Sequence, residues 1–190
     1  PVADITPDIS SGCQGLAVTF NNNSTTGGTY NWSFTGATPS TSVLFSPPPI
    51  TFNTAGNQMV VLTVNISGCS NKDTVFIVVD SVPNAAFSAS TECLGFATQF
   101  SNSSNGSIVS NLWDFDDGSP PDNTSNPNHS YSLTGTYYIT LTIINSMGCS
   151  DSVTQAVIVN PVPVAAFTNS SACLQQSTAF FDQTNGSPIN

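Results

Sequence analysis

Three stretches decide the reading of this chain. "SSGCQGLAVTF" (10–20), "STECLGFATQF" (90–100) and "SSACLQQSTAF" (170–180) are versions of one segment. Their cysteines Cys13, Cys93 and Cys173 are evenly spaced, 93 − 13 = 80 and 173 − 93 = 80. A second segment keeps the interval: "SGCSNKDTVFIVV" (67–79) and "MGCSDSVTQAVIV" (147–159) set Cys69 and Cys149 apart by 149 − 69 = 80. Self-similarity at a fixed period marks a tandem array in which each period is one structural unit. The expected units are 1–80, 81–160 and a partial third at 161–190.

Inside each unit the apolar residues alternate with period two, the pattern of a half-buried strand. Leu16, Val18 and Phe20 do so, as do Phe96, Thr98 and Phe100. Val60, Leu62 and Val64 are answered by Tyr137, Ile139, Leu141 and Ile143. "TVFIVV" (74–79) is a continuous run suited to a strand buried on one or both faces. Turn residues punctuate these runs and no helical period competes. About seven short strands per unit predict an all-β fold of tandem immunoglobulin-like sandwiches in a linear array. The link "DSVPN" (80–84) is short and contains Pro83, so neighbouring units are expected in near-contact. The third unit has only the strands around Phe167 and Phe180–Phe181, too little to bury a core alone, and predicts a chain continuing past Asn190.

Composition narrows the function classes. Lys72 is the single Lys or Arg, His129 the single His, and the formal charge is −10. Nucleic acid is excluded as a partner, because nothing cationic is present to neutralise phosphates. Anionic lipid is disfavoured for the same reason, and no apolar run is long enough to insert in a membrane. One basic residue also leaves almost no sites for trypsin-like proteases, which suits an exposed filament. Five Cys without metal-type spacing point to an oxidising, extracellular setting, with one partner outside this stretch or one thiol free. So few acids, bases and oxyanion stabilisers predict no enzyme and no cofactor.

"WDFDDGSPPDNTSNPNHSYSLTGTYYITLTI" (113–143) resembles the PKD domain, whose signature runs W-D-F-G-D-G, then N-P-x-H-x-Y, then G-x-Y-x-V-x-L. Asp116 departs from it, standing where the family has Gly. The first unit is a looser relative, with "WSFTGATPSTS" (32–42) and "PPITFNTAG" (48–56). The cysteine-bearing version resembles PKD arrays of secreted Bacteroidetes-type proteins, among them gliding-motility adhesins exported by type 9 secretion. That resemblance implies a stiff spacer in a long cell-surface adhesin or filament. Its partners would be other repeats of the same chain, and extracellular glycans or surfaces reached through other domains. The alternative it leaves open is an accessory spacer or carbohydrate-binding module of a secreted polysaccharide-degrading enzyme.

Strand direction bears on the cysteines. Cys13 and Cys93 fall at the first turn of a unit, Cys69 and Cys149 at its last turn. If successive strands run antiparallel, those turns lie at opposite poles, separated by a strand of roughly 20 Å. A disulfide needs Cα atoms within about 7 Å. The expected bond is therefore Cys13–Cys149, from one unit to its successor, with the partner of Cys173 beyond the chain end. Self-contained units, Cys13–Cys69 and Cys93–Cys149, are the alternative.

Other candidates sit in turns and strands. Asp114, Asp116, Asp117 and Asp122 crowd one turn and offer the hard oxygens that Ca²⁺ takes, although Asp117-Gly118 also reads as ordinary turn chemistry. His129 is expected to be a structural hydrogen-bonder. Trp32 and Trp113, two residues from Phe34 and Phe115, belong to the core, whereas Tyr30 and Tyr138 are candidate exposed aromatics. "DTV" (73–75), "DSV" (80–82) and "DSV" (151–153) resemble the Asp-Ser/Thr-apolar motif that Bacteroidetes-type bacteria O-glycosylate. The resemblance makes Thr74, Ser81 and Ser152 candidate glycan sites.

Overall fold

The computed structural model describes residues 1–185, and every regular element among them is a β-strand. No helix there is long and apolar enough to cross a membrane. Packing divides the chain into two compact units. The first takes residues 1–85 together with 104–111 and 142–152; the second takes 86–103, 112–141 and the residues from 153 on. The first unit thus extends past the first sequence repeat.

Two layers enclose the core of the first unit. One is a five-stranded sheet in the order Ser11–Cys13, Cys69–Asp80, Gly56–Ile66, Thr29–Phe34, Thr41–Ser42. The other comprises the sheet Leu16–Val18, Ile50–Phe52, Ala37–Thr38 and the pair Ile5–Pro7 with Phe20–Asn22. Alternation places Tyr30, Trp32 and Phe34 inward and Thr29, Asn31 and Ser33 outward. Val60, Leu62, Val64 and Ile77 meet Val18, Phe20, Ile50 and Phe52 in one buried cluster. Phe20 centres it, with ring centroids 5.9 Å from Trp32, 5.5 Å from Phe34 and 6.4 Å from Phe52. Truncating Phe34 to Ala would open a cavity costing about 3–5 kcal/mol.

The first strand departs from the uniformly antiparallel expectation. Ile5–Pro7 pairs antiparallel with Phe20–Asn22, and the chain then crosses to the other layer. There Ser11–Cys13 pairs parallel with the end of Cys69–Asp80, in the register Cys13 to Asp80. The crossing has a local cause. Pro7 has no N–H to continue a ladder, and the Asp8 carboxylate accepts from the backbone N–H of Ile9 and of Thr19, each at 2.9 Å. The backbone hydrogen bond from Thr19 leads in holding the Asp8 pKa below the ordinary carboxylate value.

The second repeat carries the corresponding sheets. Phe87–Ala89, Thr98–Asn102 and Asn128–His129 form one; the other has the order Glu92–Cys93, Ser150–Asn160, Gly135–Asn145, Ile108–Asp114. Phe87, Phe100, Trp113, Phe115, Tyr131, Ile139, Leu141, Val157 and Val159 are buried in the second unit. One expectation is corrected here. Phe96 is 62% exposed, because it belongs to the tight turn in which its N–H bonds Cys93 O at 3.1 Å, and the strand begins only at Thr98. "TVFIVV" is buried on one face alone, Ile77 and Val79 inward, Phe76 and Val78 outward. In the partial third repeat Phe167–Asn169 pairs with Phe180–Asp182, and Phe167, Phe180 and Phe181 are exposed.

Candidate functional site

Cys13 and Cys149 are joined, with S–S 2.02 Å and Cα–Cα 5.7 Å across a sequence separation of 136. Both residues lie in the first compact unit. The strand register explains why Cys13 is not bonded to Cys69. Cys13 lies beside Asp80 at one end of Cys69–Asp80, and Cys69 opens the other end. Eleven residues separate those ends (80 − 69), roughly 36 Å at strand rise. The second repeat has the same layout: Cys93 pairs with Asn160, the last residue of Ser150–Asn160, and Cys149 directly precedes that strand. Cys69, Cys93 and Cys173 are free thiols, Cys69 and Cys173 exposed.

A buried amide organises the bonded end. Asn145 is 4% exposed and Cys149 2% exposed. The Asn145 side-chain oxygen accepts from the N–H groups of Met147 at 3.1 Å and Cys149 at 2.9 Å, which shapes the turn. Its Nδ2 donates to the Asp80 carboxylate and to Ser81 O, each at 3.0 Å. Four hydrogen bonds satisfy every polar position that a buried amide of this size must fill. Gly148, at φ +85°, closes the turn in a conformation that other residues rarely adopt. The link 80–85 is held as well. Gln14 Oε1 accepts from Val82 N at 3.2 Å, and Asp151 Oδ2 accepts from Ala85 N at 2.8 Å. Asn84 and Asn105 exchange backbone bonds at 3.0 and 3.1 Å. Gly106 lies so close that a Cβ there would stand 2.8 Å from Pro83 Cα.

Asn145 was not singled out from the sequence, although a signal for it exists. "NISGC" (65–69) and "NSMGC" (145–149) share Asn, Gly and Cys at the repeat interval. In so Asn-rich a chain a repeated Asn attracts no notice until its burial is known.

The four aspartates form turns and no cage. Asp114 accepts from Asp116 N at 3.0 Å, Asp117 from Ser119 N at 3.0 Å, and Asp122 from Thr124 N at 2.7 Å. Asp116 accepts from Tyr138 N at 2.9 Å. Among the described residues no three His, Cys, Asp or Glu side chains converge as metal ligands. The residues present therefore do not fit a Ca²⁺ ion, which takes six to eight oxygens around one point. Asp117 Oδ2 instead lies 2.7 Å from His129 Nε2. Partial burial raises the Asp117 carboxyl, but hydrogen bonds from Ser119 and His129 outweigh it, and its pKa falls below the ordinary value.

His129 is the middle rung of an aromatic ladder. Its ring stacks on Phe115 at 4.0 Å and meets Tyr131 edge-on at 4.7 Å, and Tyr131 stacks on Tyr137 at 4.0 Å. Burial pushes the Tyr131 hydroxyl pKa up. Trp32 and Trp113 are buried, their indole N–H groups donating to Leu44 O and Thr124 O at 2.9 Å each. Tyr138 is exposed, but Tyr30 is not. Its hydroxyl donates to Thr25 O at 3.0 Å and its ring packs edge-on against Phe45, so the expectation for Tyr30 is corrected.

Thr74, Ser81 and Ser152 are all exposed. The aspartate before each has work of its own: Asp73 accepts from Ile5 N at 2.8 Å, Asp151 from Ala85 N, and Asp80 from Asn145. Packing alone therefore accounts for an Asp at those three positions.

Over 89 residues the chain is 35% identical to a microbial collagenase of Vibrio alginolyticus, 44% of this chain and 11% of that protein. Over 88 residues it is 38% identical to the pre-pro-metalloprotease PrtV of Vibrio cholerae, 44% of this chain and 10% of that protein. The chain thus spans about a tenth of the length of the relatives it matches. Among solved structures, the PKD1 domain of Vibrio anguillarum Epp shares 27% identity with TM-score 0.41, covering 44% of this chain and 99% of that one. The PKD1 domain of PrtV shares 35% identity with TM-score 0.39, covering 42% and 98%. The fold is an all-β, immunoglobulin-like sandwich, and the matched module is not an enzyme. Residues 77–161 match the family model described as the PKD domain.

Proposed function

We propose that this segment is a non-catalytic spacer of an extracellular multidomain protein, built to hold consecutive repeats at a set separation. The observation that carries the reading is the joint at Cys13 and Cys149, where a disulfide and the Asn145–Asp80 hydrogen bond tie residues of the first repeat to the second. A disulfide also supports an oxidising, extracellular location. The relatives named as proteases favour an accessory module beside a secreted hydrolase over a section of an adhesin filament. They further favour a proteolytic host over a polysaccharide-degrading one. The adhesin reading rests on the 80-residue period, which suits a long array.

Two measurements test this. Small-angle scattering of the native chain and of Cys13→Ser should show a broader distribution of end-to-end distances in the variant. Identical distributions would overturn the spacer mechanism. Peptide mapping of the intact host protein should reveal a hydrolase domain in the same polypeptide; dozens of further repeats and no such domain would restore the adhesin. The same material answers the modification question, because an intact mass equal to the polypeptide alone would exclude glycans on Thr74, Ser81 and Ser152.

A further inference from the structure

The link at 80–85 is held by a dipeptide with a chemistry of its own. Asn105 exchanges backbone hydrogen bonds with Asn84, 3.0 Å from Asn84 N to Asn105 O and 3.1 Å in return. Gly106 follows at φ +110°, and a Cβ there would stand 2.8 Å from Pro83 Cα and 2.9 Å from Pro83 Cβ. Packing against the link therefore requires Gly after Asn105. All four residues lie in the first compact unit. Asn105 and Gly106 are exposed, and among the described residues no hydrogen bond holds the Asn105 side chain or the Gly106 N–H. Asn145 is the contrast, buried with its amide fully bonded. The corresponding place in the first repeat has Thr25-Thr26, where Thr25 N bonds Val2 O at 3.0 Å. In the partial third repeat Asn185 exchanges bonds with Val164 at 2.9 Å each, and Gly186 follows it in sequence.

We propose that Asn105 is a self-modification site, converting to an isoaspartyl linkage that releases the link. The Gly106 nitrogen gives up its proton and bonds Asn105 Cγ. The bond from Cγ to the side-chain nitrogen breaks, and ammonia leaves carrying that proton. The product is a succinimide ring, and Gly, having no Cβ, reaches the backbone conformations that ring closure needs more readily than other residues. Water then adds to one of the ring carbonyls. Opening at Cγ leaves an ordinary Asp; opening at the main-chain carbonyl leaves isoaspartate, with the chain running through Cβ and Cγ. Water is the only co-reactant, and no electrons are transferred. In isoaspartate the carbonyl that accepts from Asn84 N–H becomes a pendant carboxylate, and the chain to Gly106 gains a methylene. Gly106 has no clearance against Pro83 to absorb it. The inference does not depend on the spacer reading.

The test ages the full chain in mildly alkaline buffer, with Asn185→Gln throughout so that a single Asn-Gly pair reports. Peptide mapping should find Asn105 converted about tenfold faster than asparagines followed by a residue with a side chain, because Gly leaves the attacking nitrogen unhindered. Asn145 should stay intact. An isoaspartate-specific carboxyl methyltransferase should label the peptide that contains residue 105. Asn105→Gln, which would need a larger ring, should remove that label. Hydrogen exchange reads the consequence. The Asn84 N–H should exchange severalfold faster in the aged chain, yet stay protected in freshly prepared Asn105→Asp, which has the charge without the added methylene. Conversion of Asn105 no faster than of other exposed asparagines, a label on that peptide in Asn105→Gln, unchanged Asn84 exchange after conversion, or an equal loss of protection in Asn105→Asp would overturn the proposal.

Discussion

Turns 65–69 and 145–149 share Asn, Gly and Cys at the repeat interval, yet their side chains live in different surroundings. Asn145 and Cys149 are buried, hydrogen-bonded and crosslinked, whereas Cys69 is exposed and free. Each turn has its Gly at positive φ, but the backbones differ: Ser67 is also at positive φ and Cys69 pairs with Ile66, whereas Asn145 N bonds Cys149 O at 2.9 Å. The second turn also meets Asp80, Ser81 and Cys13. The shared residues therefore leave Cys69 free in one place and make a joint in the other.

The largest effect expected on that contrast comes from the covalent bond. Closing a loop of 136 residues restricts the unfolded chain by about 5 kcal/mol in the entropy model, so Cys13→Ser should lower stability by ~3–5 kcal/mol. Denaturant unfolding with and without reductant measures this, and reductant should erase the difference between native and variant chains. Cys69→Ser, by contrast, should be silent.

Next comes the amide. Asn145→Ala leaves the Asp80 carboxylate and two turn N–H groups without their partner, an expected loss of about 2–3 kcal/mol. Asn65→Ala, at a half-buried position of the unbonded turn, should cost less than Asn145→Ala. Equal losses at the two positions would collapse the comparison. Gly106→Ala should cost about 1–3 kcal/mol, because its Cβ would press on Pro83 in the link and its φ of +110° disfavours any side chain. Thermal melts of the two variants rank them.

Smaller still is the effect of acid on the aspartate turn. Asp117 is held below its unfolded pKa, so its contribution is present above the unfolded value and is lost as pH falls through the folded value. Stability should drop below about pH 4, and the drop should shrink in Asp117→Asn, by less than ~1 kcal/mol for so exposed a pair. Millimolar Ca²⁺ should leave the melting midpoint unchanged, since the four carboxylates do not converge. A rise of several degrees would show a site that the turn geometry does not suggest.

Much of the fold was legible because period-two alternation reports burial directly. Trp32, Phe34, Val60, Leu62, Ile139 and Leu141 all face inward as their spacing requires. Phe96 and Tyr30 were misread for opposite reasons. An aromatic in a tight turn looks like a strand residue in sequence, and an apolar neighbour such as Phe45, arriving from a distant loop, can bury a tyrosine that sequence leaves exposed. The candidate site was legible only in outline. Its cysteines announce themselves by spacing, but Asn145 is one Asn among many until its four partners are known.

The sequence by itself determined the 80-residue repeat, the strands and the inward faces, because each depends on residues within reach along the chain. Only the tertiary structure decided which cysteine meets Cys13, and why Asn145 and Asn65 differ. Those outcomes depend on a parallel strand that changes layers after Pro7, and on groups that approach one another across 136 residues. Local pattern specifies the halves of the joint. Register brings them together.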